Sequence, residues 1–258
     1  FCLRRCGLTA SALVGQAATT DARDVAVSGR YAYVADGGGG LRIVRIDNPA
    51  SPTVVGALAA ANAQGVYVHT NRAYVANGSG GLLVVDVTNP AAPALLGSLA
   101  TADARSVVVS GAFAYVADGS GGLKVIDIST PASPVLRGVL PTTEARRVAV
   151  SGKNVFVADG AGGLRIVNVT TASAPSQRSQ LVTSDASGVA VLAGVVYLAD
   201  GASGLRIIDA GNENAPFERQ RIATTNGRGV AAPAGVYVYV ADGAGGLRVV
   251  RTAAMGSY

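Results

Sequence analysis

The sequence contains few of the residues from which metal sites and catalytic centres are usually built. Its 258 residues include one histidine, His69, and two cysteines, Cys2 and Cys6. Two closely spaced thiolates without neighbouring histidines do not complete a tetrahedral zinc site. A G-x-S-x-G motif, which would mark a serine nucleophile, is also missing. We therefore expect no metal and no other cofactor.

Long apolar runs and basic clusters are scarce as well. No stretch reaches the ~18 consecutive apolar residues that a membrane-spanning helix requires. The formal net charge is +5, but the cations form no basic block, and aromatic residues make up only 5% of the chain. A nucleic-acid site usually combines clustered cations with aromatic rings for base stacking. We therefore expect neither a membrane span nor a nucleic-acid partner.

Glycine, in contrast, is abundant, and it belongs to a repeat. The segment YVADG at residues 33–37 returns five more times with small changes, and each copy continues through a glycine-rich turn into an apolar run such as LKVIDI. The copies begin at Tyr33, Tyr74, Tyr115, Phe156, Tyr197 and Tyr239, in steps of 41 residues and finally 42. An Asp-Gly or Asn-Gly pair between two apolar runs is a strong hairpin signal. Four short strands at a period of about 40–45 residues are typical of a propeller blade.

The repeat predicts an all-β, six-bladed β-propeller with four antiparallel strands in each blade. The last copy stops after its third strand, whereas residues 12–19, ALVGQAAT, align with the fourth strands TVVGALAA and ALLGSLAT. We therefore predict that an N-terminal strand completes the last blade and leaves no free sheet edge. The expected organisation is an N-terminal tail with two cysteines at 1–10, a propeller at 11–252 and a C-terminal tail at 253–258.

The units resemble the LVIVD repeat of bacterial and archaeal proteins. Residues 84–90, VVDVTNP, and residues 124–130, KVIDIST, carry the resemblance best, and it extends over residues 11–252. Many members of that family are secreted or attached to the cell surface, so the resemblance implies a β-propeller that works outside the cytoplasm. It implies no common reaction and no common catalytic residue.

Two sets of polar residues recur where each first strand begins. An acid or an amide comes first, and these residues are Asp21, Asn62, Asp103, Glu144, Asp185 and Asn226. Two positions later the chain has Arg23, Gln64, Arg105, Arg146, Ser187 and Arg228. First strands usually line the central channel of a propeller, and residues i and i+2 of an extended chain share a face. The two sets therefore predict two stacked rings near one mouth of the channel.

These rings admit two interpretations. In the first, ion pairs and hydrogen bonds tie adjacent blades, each exposed pair contributing ~0–1 kcal/mol. In the second, the arginines bind an anionic group as bidentate donors. Four acids offset four arginines in the rings, which favours the first interpretation. The joint change to amides in the second repeat, Asn62 and Gln64, also fits paired residues.

Two other recurring positions are interpreted as structural. The Asp or Asn of each hairpin, beginning with Asp36, is expected to hold its turn rather than a calcium ion, because these side chains lie one per blade. A basic residue starts most third strands, and this row is Arg42, Lys124, Arg165, Arg206 and Arg248, interrupted by Leu83. We expect the row to form a solvated rim that discourages edge pairing.

Cys2 and Cys6 stand apart from the repeat, in the segment FCLRRCG at the start of the chain. In an oxidising compartment they would form a local disulfide or a link between subunits. A pair of free thiols in a loose tail is the alternative.

Together these features favour a non-enzymatic binding or scaffolding propeller that is extracellular or at the cell surface, or a self-assembling surface or filament subunit. The expected partners are another protein or further copies of the chain. A catalytic site normally needs differentiated loops and titratable groups with shifted pKa values, whereas these blade loops are short and nearly identical. The alternative is a propeller enzyme or a small-anion-binding protein with its site at the channel mouth.

Overall fold

Each repeat folds into a meander of short antiparallel strands, because apolar runs of five or six residues alternate with glycine-rich turns. The computed structural model describes residues 13–252, so both predicted tails, with Cys2 and Cys6, lie outside the described residues. Within that range five blades have four strands and the sixth has three. The predicted all-β six-bladed propeller is confirmed.

The strands follow the repeat closely. Blade one contains β1 (Asp24–Ser28), β2 (Tyr31–Ala35), β3 (Leu41–Arg45) and β4 (Thr53–Leu58), and blade two contains β5 (Gly65–His69), β6 (Arg72–Ala76), β7 (Leu82–Asp86) and β8 (Ala94–Leu99). Blade three contains β9 (Ser106–Ser110), β10 (Phe113–Ala117), β11 (Leu123–Asp127) and β12 (Val135–Leu140), and blade four contains β13 (Arg147–Ser151), β14 (Asn154–Ala158), β15 (Leu164–Asn168) and β16 (Ser176–Leu181). Blade five contains β17 (Gly188–Leu192), β18 (Val195–Ala199), β19 (Leu205–Asp209) and β20 (Phe217–Ile222), and blade six contains β21 (Gly229–Ala231), β22 (Tyr237–Ala241) and β23 (Leu247–Arg251), with a short 3-10 turn at Gly243–Gly245.

The turn between the second and third strands joins each blade to the next. In blade one Gly37 has φ 51°, a left-handed conformation that glycine adopts without a Cβ clash. Its N–H and carbonyl exchange hydrogen bonds of 3.0 and 2.9 Å with Ala63, which precedes the first strand of blade two. The same bridge recurs at Gly78–Ala104, Gly119–Ala145, Gly160–Ala186 and Gly201–Gly227. In blades one to five the hairpin turn therefore holds the start of the following blade.

The hydrophobic core lies between the blades. One cluster combines Leu41 and Ile43 of blade one with Val66 and Val75 of blade two. Equivalent clusters fill the spaces between successive blades up to blade six. Full burial of a side chain of this size contributes roughly 1.5–3 kcal/mol. The stability of the propeller therefore comes mainly from contacts between neighbouring blades.

The corresponding core between blade six and blade one is incomplete. On blade one, Ala32, Val34 and Val44 form a small cluster with Ala17 of the N-terminal segment. On blade six, Leu247 of β23 is 67% exposed. Among the described residues, no backbone bridge continues the series from the turn of blade six to blade one. A seam therefore separates the last blade from the first.

The N-terminal segment does not form the predicted fourth strand of blade six. Residues 13–19 form no strand, and within the described range β23 pairs only with β22. The segment lies against blade one instead, where a Cβ on Gly15 would come within 2.1 Å of the Pro49 carbonyl oxygen. A Cβ on Gly56 of β4 would come equally close, 2.1 Å, to the carbonyl oxygen of Pro90 in blade two. Residues 13–19 thus contact blade one in the way that β4 of blade one contacts blade two, as the fourth strand of a preceding blade would. They do not pair with β23, the third strand of blade six.

The attachment of this segment to blade one has a clear physical cause. The backbone N–H groups of Thr20 and Asp21 donate to the buried carboxylate of Asp36 at 2.7 and 2.6 Å. These bonds fix the chain directly after residue 19 to blade one. The equivalent residues of blade four, Thr143 and Glu144, make the same bonds to Asp159, so this attachment belongs to the repeat.

Candidate functional site

The candidate site is the channel mouth, where the first strands begin. Successive first strands are neighbours around the axis, so the chain segments that lead into them converge at one end. A cavity of about 600 Å³ lies there. It is lined by Arg23, Gln64, Asp103, Arg105, Arg146, Arg147, Asp185, Ser187, Asn226 and Arg228. The structure therefore brings the two predicted rings together, with Asp21, Asn62 and Glu144 placed one per blade beside the lining residues.

A buried side chain in each blade positions these rings. The carboxylate of Asp200 in blade five is fully buried and accepts the backbone N–H of Asp185 at 2.7 Å. The equivalent acceptors are Asp36, Asn77, Asp118, Asp159 and Asp242, each of which binds the N–H of the acid or amide of its own blade. The hairpin residue thus does more than hold its turn, because it also fixes the backbone of the mouth.

Most of the basic row of the third strands does not form a solvated rim, so that prediction was wrong for four of its five residues, whereas the side chain of Arg248 is 49% exposed. Arg206 donates from Nε to the buried carboxylate of Asp200 at 2.7 Å. The equivalent pairs are Arg42–Asp36, Lys124–Asp118, Arg165–Asp159 and Arg248–Asp242. In blade two both partners change together, to Asn77 and Leu83. A buried carboxylate is costly without a counter-charge, which explains why charge and counter-charge are kept or lost as a pair.

These contacts keep the buried carboxylate of Asp36 ionised. Burial raises the pKa of Asp36, but hydrogen bonds from the backbone of Asp21 and Thr20 and from Arg42 outweigh burial, so the pKa lies below its usual value. At the mouth, hydrogen bonds from Arg146 and Arg105 lower the pKa of Glu144. A general acid or base near neutral pH needs a pKa close to 7. Glu144 therefore acts as a fixed anion at the mouth.

Ion pairs run around the mouth in one direction. Arg105 donates to Asp103 of its own blade at 2.6 Å and to Glu144 of the following blade at 2.7 Å. Arg146 continues the series, since it donates to Glu144 at 2.8 Å and to Asp185 of the following blade. Each guanidinium thereby ties its own blade to the next, which is the geometry that the ion-pair interpretation predicts.

The series starts in blade one. Arg23 donates to Asp21 at 2.8 Å and to Asn62 of blade two at 2.9 Å. Gln64, which replaces an arginine in blade two, still reaches Asp103 of blade three, at 3.4 Å. The uncharged amides of blade two therefore preserve the direction of the contacts and weaken their electrostatic part.

The series ends at blade five. The Ser187 hydroxyl accepts from Arg146 at 3.2 Å and donates to the carbonyl of Asp185 at 2.9 Å, and it does not reach blade six. The side chains of Asn226 and Arg228 have no hydrogen-bond or ion-pair partner within residues 13–252. In the other blades each mouth arginine binds the acid or amide of the following blade. If blade one followed blade six, the partner of Arg228 would be Asp21.

One pair in the channel was not anticipated from the sequence. Asp24 begins β1 and Arg147 begins β13, and their side chains form an ion pair of 3.1 Å between blades one and four. Asp24 also accepts the backbone N–H of Val66 at 3.1 Å. The signal was present, because the same position holds glycine or serine in the other four blades. This pair joins opposite sides of the channel, blades one and four.

Other kinds of site find little support in the described part of the chain. Within it, no three His, Cys, Asp or Glu side chains converge where a metal ion would bind. His69 ends β5 as an exposed residue of a hairpin. No helix of the described residues is long and apolar enough to cross a membrane. The predicted link through Cys2 or Cys6 stays a prediction, since both lie outside residues 13–252.

Comparison with known proteins places the repeat in a family. The sequence profile described as "LVIVD repeat" matches six segments, residues 20–59, 60–101, 102–142, 143–182, 183–224 and 230–250. These segments cover most of the chain and agree with the six blades. No curated protein matches the sequence.

Solved structures resemble this one in fold. A putative 6-phosphogluconolactonase from Bacteroides uniformis is 14% identical, with a TM-score of 0.78 over 92% of this chain and 83% of that chain. BamB from Moraxella catarrhalis is 13% identical, with a TM-score of 0.67 over 91% and 70%. The β-propeller domain of Cps50 (Swd1) from Myceliophteria thermophila is 14% identical, with a TM-score of 0.72 over 90% and 84%. At such identities the likeness concerns the propeller fold alone.

Proposed function

Because the chain belongs to the LVIVD repeat family, we propose that it is a non-enzymatic extracellular propeller that scaffolds other proteins by binding them along its outer rim. The observation that carries this proposal is a difference between blades on the surface. The interior of each blade repeats the same residues, whereas the fourth strands, which form the rim, do not.

The rim of blades one to three is apolar. Leu95 of β8 is 52% exposed and Leu136 of β12 is 44% exposed, and Val54 holds the same position in β4. The equivalent residues of blades four and five are Gln177 and Glu218. Natural sheets usually protect their edge strands with charged residues. The edges of blades one and two carry no charged residue and that of blade three carries Arg137 alone. We infer that an extended segment of a partner pairs along these edges, with its own apolar side chains over the exposed leucines.

The channel mouth supports the non-enzymatic part of the proposal. Arg105 and Arg146 already bind carboxylates of their own and the following blade, and these bonds lower the pKa of Glu144. A catalytic group would have to leave such a pair before it could exchange a proton or bind a substrate. Ligand binding at the mouth therefore competes with contacts that hold the blades together.

A second candidate function, small-anion binding at the mouth, rests on one residue. The guanidinium of Arg228 has no partner within residues 13–252 and faces the cavity beside Asn226 and Ser187. Titration with inorganic phosphate tests this candidate. Saturable binding that is lost in Arg228→Gln supports it, and unchanged binding in that variant excludes it.

Site-specific crosslinking tests the rim. A photoreactive amino acid at position 95 should crosslink a distinct protein on intact producing cells, whereas the same amino acid at position 177 should not, because Gln177 holds the equivalent position on a polar edge. The crosslink at position 95 should disappear when Leu136 is replaced by lysine. Equal crosslinking at positions 95 and 177, or protection of the protein from protease added to intact cells, would contradict the proposal.

A further inference from the structure

The seam between blade six and blade one exposes two apolar surfaces. Val25 of β1 is 58% exposed, whereas the equivalent Val66 of blade two is 6% exposed. On the other side Leu247 and Val249 of β23 are 67% and 56% exposed, whereas the equivalent Leu41 and Ile43 are fully buried. A cavity of about 840 Å³ extends from the central channel into the space between the two sides.

The two surfaces are complementary halves of one inter-blade contact. In each other space, the earlier blade supplies third-strand residues such as Leu41 and Ile43, and the later blade supplies a first-strand valine such as Val66. Blade six offers the former and blade one offers the latter. Complementary patches at opposite ends of one chain make a heterologous interface, which joins copies head to tail.

The repeat also indicates what pairs with β23. In blade one the third and fourth strands pair as Leu41 with Leu58, Ile43 with Gly56 and Val44 with Val54. Residues 13–17 carry the same fourth-strand pattern, with glycine in the matching place. Transferred to blade six, this register pairs Leu247 with Ala17, Val249 with Gly15 and Val250 with Leu13.

The chain's own N-terminal segment does not fill this position. It is fixed to blade one through Asp36 and lies there against Pro49. At the turn before β23, a Cβ on Gly246 would meet nothing within 4 Å, whereas a Cβ on the equivalent Gly40 would lie 2.2 Å from the carbonyl oxygen of Leu58. Within residues 13–252, nothing occupies the place of the fourth strand in blade six, and an N-terminal segment of another copy would bring its own blade one with it.

We propose that residues 13–17 of a second copy of this chain pair with β23 and complete blade six, so that blade six of one copy packs on blade one of the next. This inference rests on the proposed scaffolding function and names one partner, the chain itself. The same docking places Arg228 of one copy beside Asp21 of the next and thereby continues the series of ion pairs at the mouth. Because the interface is heterologous, successive copies join head to tail, as an open chain or as a closed ring.

Mixed single-cysteine variants distinguish a second copy from closure within one chain. In a background with Cys2→Ser and Cys6→Ser, one variant carries Leu13→Cys and the other carries Val250→Cys. Paired residues of antiparallel strands have Cα atoms about 4.5–5.5 Å apart, within the range for a disulfide. An equal mixture should give a disulfide-linked dimer on mild oxidation that neither variant gives alone. Val167→Cys is the matched control, since this third-strand position in β15 is already covered by β16.

The variant with both Leu13→Cys and Val250→Cys completes the test. Disulfide-linked oligomers support the proposal, whereas a monomer with an internal disulfide, or no crosslinking in either experiment, overturns it. As a second measurement, sedimentation should show at least tenfold weaker self-association for Val249→Lys than for Gln177→Lys. Leu95→Lys should leave this self-association unchanged, so a failure of rim binding and a failure of strand exchange give different results.

Discussion

The buried pair of Asp159 and Arg165 offers a direct test of how the blades are built. The carboxylate of Asp159 is fully buried and accepts from the backbone of Thr143 and Glu144, at 3.0 and 2.6 Å, and from Arg165 at 2.5 Å. Replacing Arg165 by leucine removes one charge-assisted bond, worth roughly 1.5–3 kcal/mol, and leaves a buried charge unpaired. Loss of one partner of a buried pair costs about 3–5 kcal/mol. Because two backbone N–H groups remain, we expect a loss of about 2–3 kcal/mol in the free energy of unfolding.

The double variant Asp159→Asn with Arg165→Leu should recover most of that loss. It reproduces the combination that blade two already contains, Asn77 with Leu83, where Asn77 accepts the backbone N–H of Asn62 at 2.8 Å. Urea unfolding of the wild type, both single variants and the double variant gives the coupling energy of the pair. A double variant as unstable as Arg165→Leu alone would refute the reasoning, because the unpaired charge would then not be the cause of the loss.

Three further predictions concern pH, the mouth and the turns. Several carboxyl groups have lowered pKa values in the folded protein, including Asp127 at about 2, and their contribution to stability is complete above about pH 5. The melting temperature should therefore stay level near neutrality and fall as the pH drops from about 4 to about 2. The variant with Arg105→Gln and Arg146→Gln should lose about 0–2 kcal/mol in urea unfolding with no change in phosphate binding, and a loss of phosphate binding would support an anion site there. Gly119→Ala should lower the free energy of unfolding by about 1–3 kcal/mol, and by more than Gly111→Ala. Both residues have positive φ, but only at Gly119 would the new Cβ meet a mouth carboxylate. Equal losses in urea unfolding would show that the turn tolerates a side chain.

The periodicity of the sequence was sufficient to predict the blades, because strand and turn signals are local. The Asp-Gly and Asn-Gly pairs and the apolar runs on either side fall where the hairpins lie. The ring residues could also be grouped in advance, since Asp103 and Arg105 share a face of an extended segment. Their bonds to the following blade, such as Arg105 to Glu144, depend on how blades stack and needed the structure.

The buried carboxylate with its counter-charge was missed for a different reason. Residues such as Asp200 and Arg206 lie on opposite sides of a turn, and their composition suits an exposed loop as well as a buried pair. The decisive signal was the joint change to Asn77 and Leu83 in blade two. The same reasoning from joint substitution was applied to Asn62 and Gln64, and it would have identified this second pair. The seam had no such signal, because residues 13–19 fit a fourth strand whichever blade they complete.

The direction of the contacts connects the fold to assembly. Turn glycines and mouth side chains bind forward, from one blade to the following one. Within residues 13–252, blade six binds no following blade and blade one has no preceding blade, so the forward contacts are interrupted at the seam. The side chains exposed there are mostly apolar, including Val25, Leu247 and Val249, and each contributes roughly 1.5–3 kcal/mol when fully buried. Association at the seam should therefore persist at high salt, while the pair of Arg228 and Asp21 sets the alignment of the two copies more than their affinity.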